Sequence, residues 1–228
     1  FKKESFELAS IKYYDEEFFD YFAGYLRNRY LRNGFVQARV DGPIKTFTPQ
    51  KNGVHVEYLI NEGRRAFVRE VTFAGLPPDL VEMVLASMVN RQGNPFNPIA
   101  LVEDIKKVTS TLQDNGYYFA EVANANDDSL AVYSQTSGEI DLNFIVNAGQ
   151  VIRLNRVLVL GNDKTLRKVI VKKIPLEEGD LITPSGTRDI EAALSATGLF
   201  NSVSITPIRH GSKNAATDLI VKVTEREY

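Results

Sequence analysis

Histidines, the side chains most often used in catalysis and metal binding, are few in this chain and lack a recognisable site pattern. His55 and His210 are the two histidines, and neither has metal-ligand spacing or a Ser and Asp arranged around it. His55 alternates with Val54 and Val56, which places it off the core face of a strand. His210 lies in a turn-like Arg-His-Gly-Ser segment. Both histidines are therefore interpreted as surface residues.

The other residue types that could do chemistry also form no recognisable site in this sequence. The paired carboxylates Asp127-Asp128 and Glu177-Glu178 fall in predicted loops, where such pairs are usually solvated. Cysteine is absent, which excludes a thiol nucleophile and a thiolate metal site. No glycine-rich phosphate-binding motif occurs. The sequence therefore predicts no enzyme, no cofactor and no metal.

Composition and charge narrow the function classes further. The 228 residues are 43% hydrophobic and 25% charged, as in ordinary folded proteins. The net charge of −2 leaves no basic surplus for a phosphate backbone, which argues against nucleic acid as the main partner. The sequence contains no run of about 18 apolar residues and therefore predicts no membrane-spanning helix. Because the chain starts at Phe1 without a methionine, we expect it to be a piece of a longer protein.

The elements that organise the chain meet at a junction in Leu112–Val122. A helix-period run ends at Asn115-Gly116, where glycine suits a helix C-terminus, and an aromatic, strand-like run begins at once. The same junction recurs at Gly34 and Gly198, so that consecutive junction glycines are 82 residues apart. This spacing indicates an array of small domains.

The middle unit shows the full order of elements. A strand over Phe67–Phe73 is followed by a helix that Asp79 is expected to cap. A second, amphipathic helix carries a stripe of Leu101, Ile105, Val108 and Leu112. Two strands follow, one from Tyr117 and one alternating over Ile140–Val146. With the last strand central, the pattern predicts a three-stranded mixed sheet with both helices on one face and the second strand at an edge.

The third unit repeats this order at a constant offset. Gly63, Gly75 and Gly93 each have a glycine 86 residues later, whereas the junction glycine is offset by only 82. The four missing residues are close to one turn of the second helix, a deletion that keeps its apolar face in place.

The first unit is expected to be incomplete. Its helix over Asp15–Asn33 is followed by strands over Phe35–Val40 and Val54–Ile60, and its first strand is expected ahead of Phe1. The predicted domains are therefore a truncated one at 1–64 and complete ones at 65–149 and 150–228.

Strand-helix-helix-strand-strand units in tandem, with Gly-aromatic-x-x-Ala-x-Val after the second helix, resemble the POTRA domains of the BamA/TamA outer-membrane assembly superfamily. Two stretches match that motif: Gly34, Phe35, Ala38, Val40; and Gly116, Tyr117, Ala120, Val122. Gly198-Leu199-Phe200-x-x-Val203 is similar to the variant found in the last POTRA domain before a barrel. The resemblance covers essentially the whole chain, and it implies an α+β fold of tandem POTRA-like β-α-α-β-β domains.

The resemblance also implies a function and a location. A periplasmic arm ahead of a carboxy-terminal membrane β-barrel would receive unfolded outer-membrane proteins and dock accessory assembly proteins, with no enzymatic step. Three alternatives stay open: the arm of a dedicated secretion or translocation transporter, a structural periplasmic scaffold, and an array of KH-like units that bind nucleic acid. The acidic balance and the lack of a Gly-x-x-Gly loop disfavour the KH-like array.

The predicted site is the backbone of the edge strands at Phe35–Val40, Tyr117–Val122 and Phe200–Ile205. An edge offers unpaired donors and acceptors, so that a client or partner strand can add to it with little dependence on sequence. The alternative is that these strands only complete small sheets, with their apolar side chains in the core. The stretch expected to bind partners is listed residue by residue: Tyr117, Tyr118, Phe119, Ala120, Glu121, Val122.

Overall fold

A computed structural model describes the chain over residues 2–8, 15–50, 53–134, 137–208 and 216–226, with the backbone alone at 2–8. The residues divide into two compact units. The first comprises Phe1–Ala74, Glu82–Lys107 and Ala123–Ile145, and the second comprises Gly75–Val81, Val108–Val122 and Val146–Tyr228. The middle sequence repeat therefore contributes segments to both units.

The first repeat contains one helix among its described residues. Its elements are β1 (Lys2–Leu8), α1 (Glu16–Arg32), β2 (Arg39–Phe47) and β3 (Val54–Asn61). The sheet order is β1-β3-β2, and both outer strands run antiparallel to β3. The first strand of this repeat was expected ahead of Phe1, but β1 lies within the chain and occupies that edge. Its direction is opposite to that of the first strand in the other two repeats.

The middle repeat has the predicted order with one addition. Its elements are β4 (Phe67–Ala74), a 3₁₀ turn (Pro78–Leu80), α2 (Val81–Ser87), α3 (Pro98–Asp114), β5 (Glu121–Val122), β6 (Ala131–Tyr133) and β7 (Glu139–Asn147). Strand β7 is central, parallel to β4 and antiparallel to β5, as predicted. The short β6 was not predicted. Asp79 lies inside the 3₁₀ turn, whose N-cap is Pro77, so the predicted cap is wrong.

The third repeat follows the same plan without an added strand. Its elements are β8 (Arg153–Leu160), α4 (Arg167–Val171), α5 (Pro184–Ser195), β9 (Phe200–Pro207) and β10 (Ala216–Glu225). The sheet order is β8-β10-β9, with β10 parallel to β8 and antiparallel to β9. The mixed three-stranded sheet is thus confirmed. Thr183 caps α5 by accepting the Gly186 N–H, as expected for a threonine at this position.

Burial on one face of each sheet explains the alternating sequences. In β7 the even-numbered residues Ile140–Val146 are buried, while the odd-numbered residues between them are more exposed. The third repeat has its own core of buried aliphatic side chains, including Ile170, Leu194 and Leu219. Full burial of one such side chain stabilises the fold by roughly 1.5–3 kcal/mol.

One charged residue departs from the amphipathic pattern of α3. Asp104, a charged residue of α3, has none of its surface exposed. Its carboxylate accepts hydrogen bonds from the backbone N–H groups of Val89 and Asn90, at 2.7 and 3.0 Å. The Asn90 side chain adds a third bond at 2.8 Å. Asp104 therefore satisfies the backbone of the segment after α2, which offsets the cost of burying a carboxylate.

Candidate functional site: the repeat junctions and the sheet edges

The junction glycines are hydrogen-bonded to the first residues of the repeat that follows. The Gly34 carbonyl accepts the N–H of Ala66 at 2.7 Å, and the Gly116 carbonyl accepts the N–H of Ile152 at 2.9 Å. Ala66 and Ile152 then each accept an N–H from the segment between the two helices, as follows: Phe96 to Ala66 at 3.0 Å, Ile182 to Ile152 at 3.2 Å. Ala66 and Ile152, like Phe96 and Ile182, are 86 residues apart and form equivalent hydrogen bonds in the two repeats.

The second junction leaves no room for a side chain at its glycine. Gly116 has a φ of +88°, and a Cβ there would lie 2.7 Å from Leu181 Cδ2 and 3.0 Å from Val151 Cγ1. Glycine is therefore required both for the left-handed backbone and for the close approach. Gly116 therefore lies where the end of the middle repeat's second helix packs closely against Val151 and Leu181, within the second unit.

The aromatic residues after Gly116 form a turn, which corrects the predicted strand over Tyr117–Ala120. The Ala120 N–H donates to the Tyr117 carbonyl at 2.9 Å. The rings of Tyr118 and Phe119 are 5.1 Å apart and pack against the core of the third repeat. Their burial holds the backbone in a turn and overrides the strand preference of aromatic residues.

Only the end of the predicted partner-binding stretch is a strand. Glu121 and Val122 form β5 and pair with Asn147 and Val146. Ala120 and Val122 are buried, and Glu121 is exposed. The side chains of the stretch therefore belong mostly to the folded core. Partner binding at Tyr117–Val122 stays a prediction, for which β5 provides only two residues of strand.

Strand β9 offers an uninterrupted edge strand of eight residues, with one register shift near its start, between the pairs Phe200–Glu225 and Ser202–Thr224. Along it, the backbone groups of Ser202, Ser204 and Thr206 point toward β10, as the bonding of the next even-numbered residue, Ile208 N–H to Asp218 O at 2.9 Å, indicates. The backbone groups of Val203 and Ile205 consequently point away from the sheet, because strand residues alternate in direction. Within the part of the chain that the structure describes, no strand pairs with that side of β9.

The corresponding edge of the middle sheet is interrupted. Both β5 and β6 lie on the side of β7 opposite β4, and residues 124–129 leave the ladder between them. The Asn124 side chain occupies part of the gap: its amide donates to the Asn143 carbonyl at 2.8 Å and accepts the Ile145 N–H at 2.9 Å. Asn124 is 6% exposed. A side chain thus replaces strand backbone at this edge.

A carboxylate stabilises the turn that leaves the middle edge. Asp127 Oδ1 accepts the backbone N–H of Ser129 at 2.7 Å. This bond, with a side-chain hydrogen bond from the same serine, lowers the pKa of Asp127. Asp127 therefore acts as a turn residue, in agreement with its prediction as a solvated loop carboxylate.

The edge strand of the first sheet is long but irregular. Strand β2 has a register shift between Asp41 and Ile44. Its predicted beginning, Phe35–Ala38, lies in turns instead, with the Ala38 N–H bonded to the Phe35 carbonyl at 3.0 Å. The shift bends the strand, as β-bulges do at sheet edges. Because this shift lies in the middle of β2, whereas the shift of β9 lies at its start, β2 is a less regular template than β9.

The described residues provide no alternative centre for chemistry. His55 Nε2 lies 3.0 Å from Glu57 Oε1 on the partly exposed face of β3, and His210 lies outside the described residues. Among the described residues, no three His, Asp or Glu side chains are grouped closely enough to hold a metal ion. No helix there is sufficiently long and apolar to cross a bilayer.

Sequence reasoning missed three residues that shape the edges: Asn124, Glu191 and Pro207. Pro207 ends β9 and carried a usable signal, since proline within a sheet is confined mainly to edges and strand ends. Asn124 and Glu191 carried none. Asn124 acts through side-chain bonds to Asn143 and Ile145, and Glu191 through a bond that it accepts from the Ile205 N–H.

Comparison with known proteins gives a consistent family match. The model of the POTRA family, described as surface antigen variable number repeat, matches residues 3–63, 66–149 and 152–226. The chain is 27% identical over 200 residues to the outer membrane protein assembly factor BamA of Nitratidesulfovibrio vulgaris, covering 86% of this chain and 24% of that protein. It is 24% identical over 211 residues to BamA of Neorickettsia risticii, covering 92% and 28%. The chain thus spans about a quarter of the length of these relatives.

Solved structures agree on the fold. The crystal structure of Haemophilus influenzae BamA POTRA3–5 superposes with a TM-score of 0.53 at 19% identity, covering 91% of this chain and 80% of that one. Haemophilus ducreyi BamA lacking POTRA domains 1–3 gives a TM-score of 0.56 at 22% identity, covering 72% and 30%.

Proposed function

The chain belongs to the POTRA family and is a periplasmic arm of a BamA-like protein; from that premise we propose that it docks and chaperones clients for an outer-membrane β-barrel assembly machine. It binds extended segments of unfolded outer-membrane proteins by strand addition, without an enzymatic step. We keep 1–64, 65–149 and 150–228 as its domains. Accessory assembly proteins and a carboxy-terminal barrel are its further proposed partners.

The observation that carries this proposal is the continuous edge of β9. Its outward backbone groups at Val203 and Ile205 have strand geometry, and they can recognise a segment through main-chain bonds. The net gain is about 0.5–1.5 kcal/mol for each ladder bond, and the cost of ordering the client reduces the total, so we expect binding to be weak. Weak, sequence-tolerant binding suits a factor that must release its clients.

The side chains of β9 fit the same role. Ile205 and Pro207 are buried, while Ser202, Ser204 and Thr206 are exposed and small. The exposed face is therefore polar and offers no large apolar patch to select one client. Selection by side-chain pockets is weak at this edge, so recognition rests mainly on the backbone.

A proline substitution tests the edge without breaking the sheet. Val203→Pro removes an N–H that points away from β10, so the ladder within the sheet is retained. We expect it to weaken binding about tenfold, measured by fluorescence anisotropy with labelled peptides from membrane strands of two unrelated outer-membrane proteins. Val203→Ala is the matched control, because it trims the side chain and keeps the N–H.

The outcomes separate the two candidate edges. Binding of both peptides, lost in Val203→Pro and kept in Val203→Ala, supports strand addition at β9. Binding that is lost instead in Val122→Pro, which removes the N–H that points away from β7, with Val203→Pro unchanged, would place the client at β5 and overturn the proposal for β9. Binding of only one of the two peptides would contradict a general chaperone role. Thermal unfolding of each variant checks that the fold is retained.

A further inference from the structure

One donor on the open edge of β9 is already occupied by a side chain from a helix. The backbone N–H of Ile205 donates to Glu191 Oε1 at 2.6 Å. Because the N–H of Ile205 points away from β10, this bond lies on the side where an incoming strand would pair. Glu191 comes from α5, which packs against β9.

The bond between Glu191 and Ile205 is suited to limit which strands can pair with this edge. A carboxylate is a stronger acceptor for an N–H group than a neutral carbonyl, and Glu191 is only partly exposed. An incoming strand must therefore displace a charged acceptor before its own carbonyl can reach Ile205. Charged side chains are a common device for keeping open edges from pairing indiscriminately.

Displacement leaves the carboxylate in need of a new partner. Among the described residues, Glu191 forms no ion pair with Lys, Arg or His. A half-buried carboxylate that loses a hydrogen bond without replacement carries a desolvation cost. A cationic side chain on the incoming strand would supply the replacement at the moment when the strand carbonyl takes over the Ile205 N–H.

We infer that Glu191 selects the segments that add to β9, favouring those with Lys or Arg on the face that α5 covers. This inference rests on the proposed strand addition. Since α5 covers the face on which Ile205 is buried, the cation must lie on that face, opposite Ile205 or two residues along the incoming strand. Segments with Glu or Asp on that face are rejected by the repulsion of like charges.

Peptides that differ in charge on one face test the inference. Three peptides of ten residues share a sequence and carry Lys, Met or Glu at alternate positions, so that these side chains lie on one face and a register shift of two residues keeps them there. We expect the wild-type chain to bind the Lys peptide about five- to tenfold more tightly than the Glu peptide. In Glu191→Gln, which retains an acceptor and removes the charge, the two affinities should agree within about twofold.

Two further variants separate selection from a merely structural role. Glu191→Ala frees the Ile205 N–H, and we expect the Met peptide to bind at least about threefold more tightly than to the wild type, because no bond must be displaced. Asp189→Asn is the matched control, since it removes an exposed carboxylate from the same helix. It should leave the ratio of Lys to Glu affinities unchanged after correction for salt.

The results distinguish this inference from the function on which it rests. An unchanged Lys-to-Glu ratio in Glu191→Gln, with Val203→Pro still impairing binding, overturns the role of Glu191 alone. An equal loss of the ratio in Asp189→Asn also overturns it, because general electrostatics would then explain the preference. Failure of all three peptides to bind the wild-type chain overturns the proposed strand addition itself.

Discussion

The edges of the middle and third sheets differ, although both sheets are built on the same plan. In the third, β9 runs for eight residues beside β10. In the middle, β5 and β6 contribute two and three residues, and Asn124 bonds to β7 between them. The junction bonds to the following repeat are meanwhile the same at Gly34 and Gly116. The hydrogen bonds from the junction glycine to the following repeat are therefore the same at both positions, whereas the edge strands of the two sheets differ.

The largest expected effect tests a close backbone contact that the middle and third sheets share, between a glycine and the central strand. Gly75 and Gly161 follow the first strand, and a Cβ there would lie 2.2 Å from the Val146 carbonyl oxygen and 2.1 Å from that of Val223. We expect Gly75→Ala and Gly161→Ala each to lower the free energy of unfolding by about 3–5 kcal/mol, from the clash and the positive φ. The loss of stability in each variant is measured by urea unfolding, and amide exchange shows which of the two sheets is affected.

A matched pair of glycines isolates the clash from the backbone strain. Gly93 and Gly179 also have positive φ, but a Cβ at either would meet nothing within 4 Å. Alanine there should cost only about 1 kcal/mol. Equal costs at all four positions would contradict the close approach, and a large difference between Gly75 and Gly161 would break the equivalence of the two sheets.

The next effect sharpens the difference between the edges. Asn124→Ala removes both bonds that bridge the interruption, and we expect a loss of about 2–3 kcal/mol because buried backbone groups lose their partners. The N–H of Ile145 should then exchange faster with solvent. Asn126→Ala, at an exposed position in the same loop, should change stability by less than about 0.5 kcal/mol. Unaltered protection of Ile145 in Asn124→Ala would show that the amide does not replace strand backbone.

The smallest effect is a pH dependence at the end of the third repeat, for which the equivalent position of the middle repeat has no titratable group. Glu225 has a lowered pKa, chiefly through a side-chain hydrogen bond with Thr165, aided by the backbone N–H groups of Lys164 and Thr165. A lowered pKa stabilises the fold above the ordinary glutamate value of about 4.3, and this contribution is lost as pH falls through the lowered value. Ala148 occupies the equivalent position in the middle repeat, two residues after Val146.

Amide exchange at Lys164 and Thr165 between pH 7 and pH 3 measures this effect, after correction for intrinsic rates. We expect protection at neutral pH that declines on acidification in the wild type. In Glu225→Gln, protection should be lower at neutral pH and nearly independent of pH. The same loss of protection with pH in Glu225→Gln would assign the effect to another group.

Much of this fold could be predicted because it depends on local signals. The glycines at 75, 93, 116 and 161 have positive φ, and their spacing identified the repeat. Alternation over Ile140–Val146 identified a strand with one buried face, and a single strand of that kind between two others gives the mixed sheet. These features follow from backbone sterics and from burial on one face, both of which leave periodic traces in a sequence.

The parts that could not be predicted depend on contacts between distant residues. Tyr118 and Phe119 have strand-forming side chains, yet they pack on the core of the following repeat and lie in a turn. Asn124 looks like any loop asparagine, and Glu191 like any solvated helix carboxylate, until their bonds to Ile145 and Ile205 are seen. Neither bond has a periodic signature, so the choice of edge required the structure.

The most direct test of strand addition at β9 is the exchange of individual amides by NMR, with and without a saturating client peptide. The N–H of Val203 points away from the sheet and should exchange rapidly in the free chain. We predict that the peptide slows this exchange at least about tenfold, while exchange of the Val122 N–H, which points away from β7, is unaffected. Unchanged exchange at Val203 under saturation, or protection confined to Val122, would contradict strand addition at this edge.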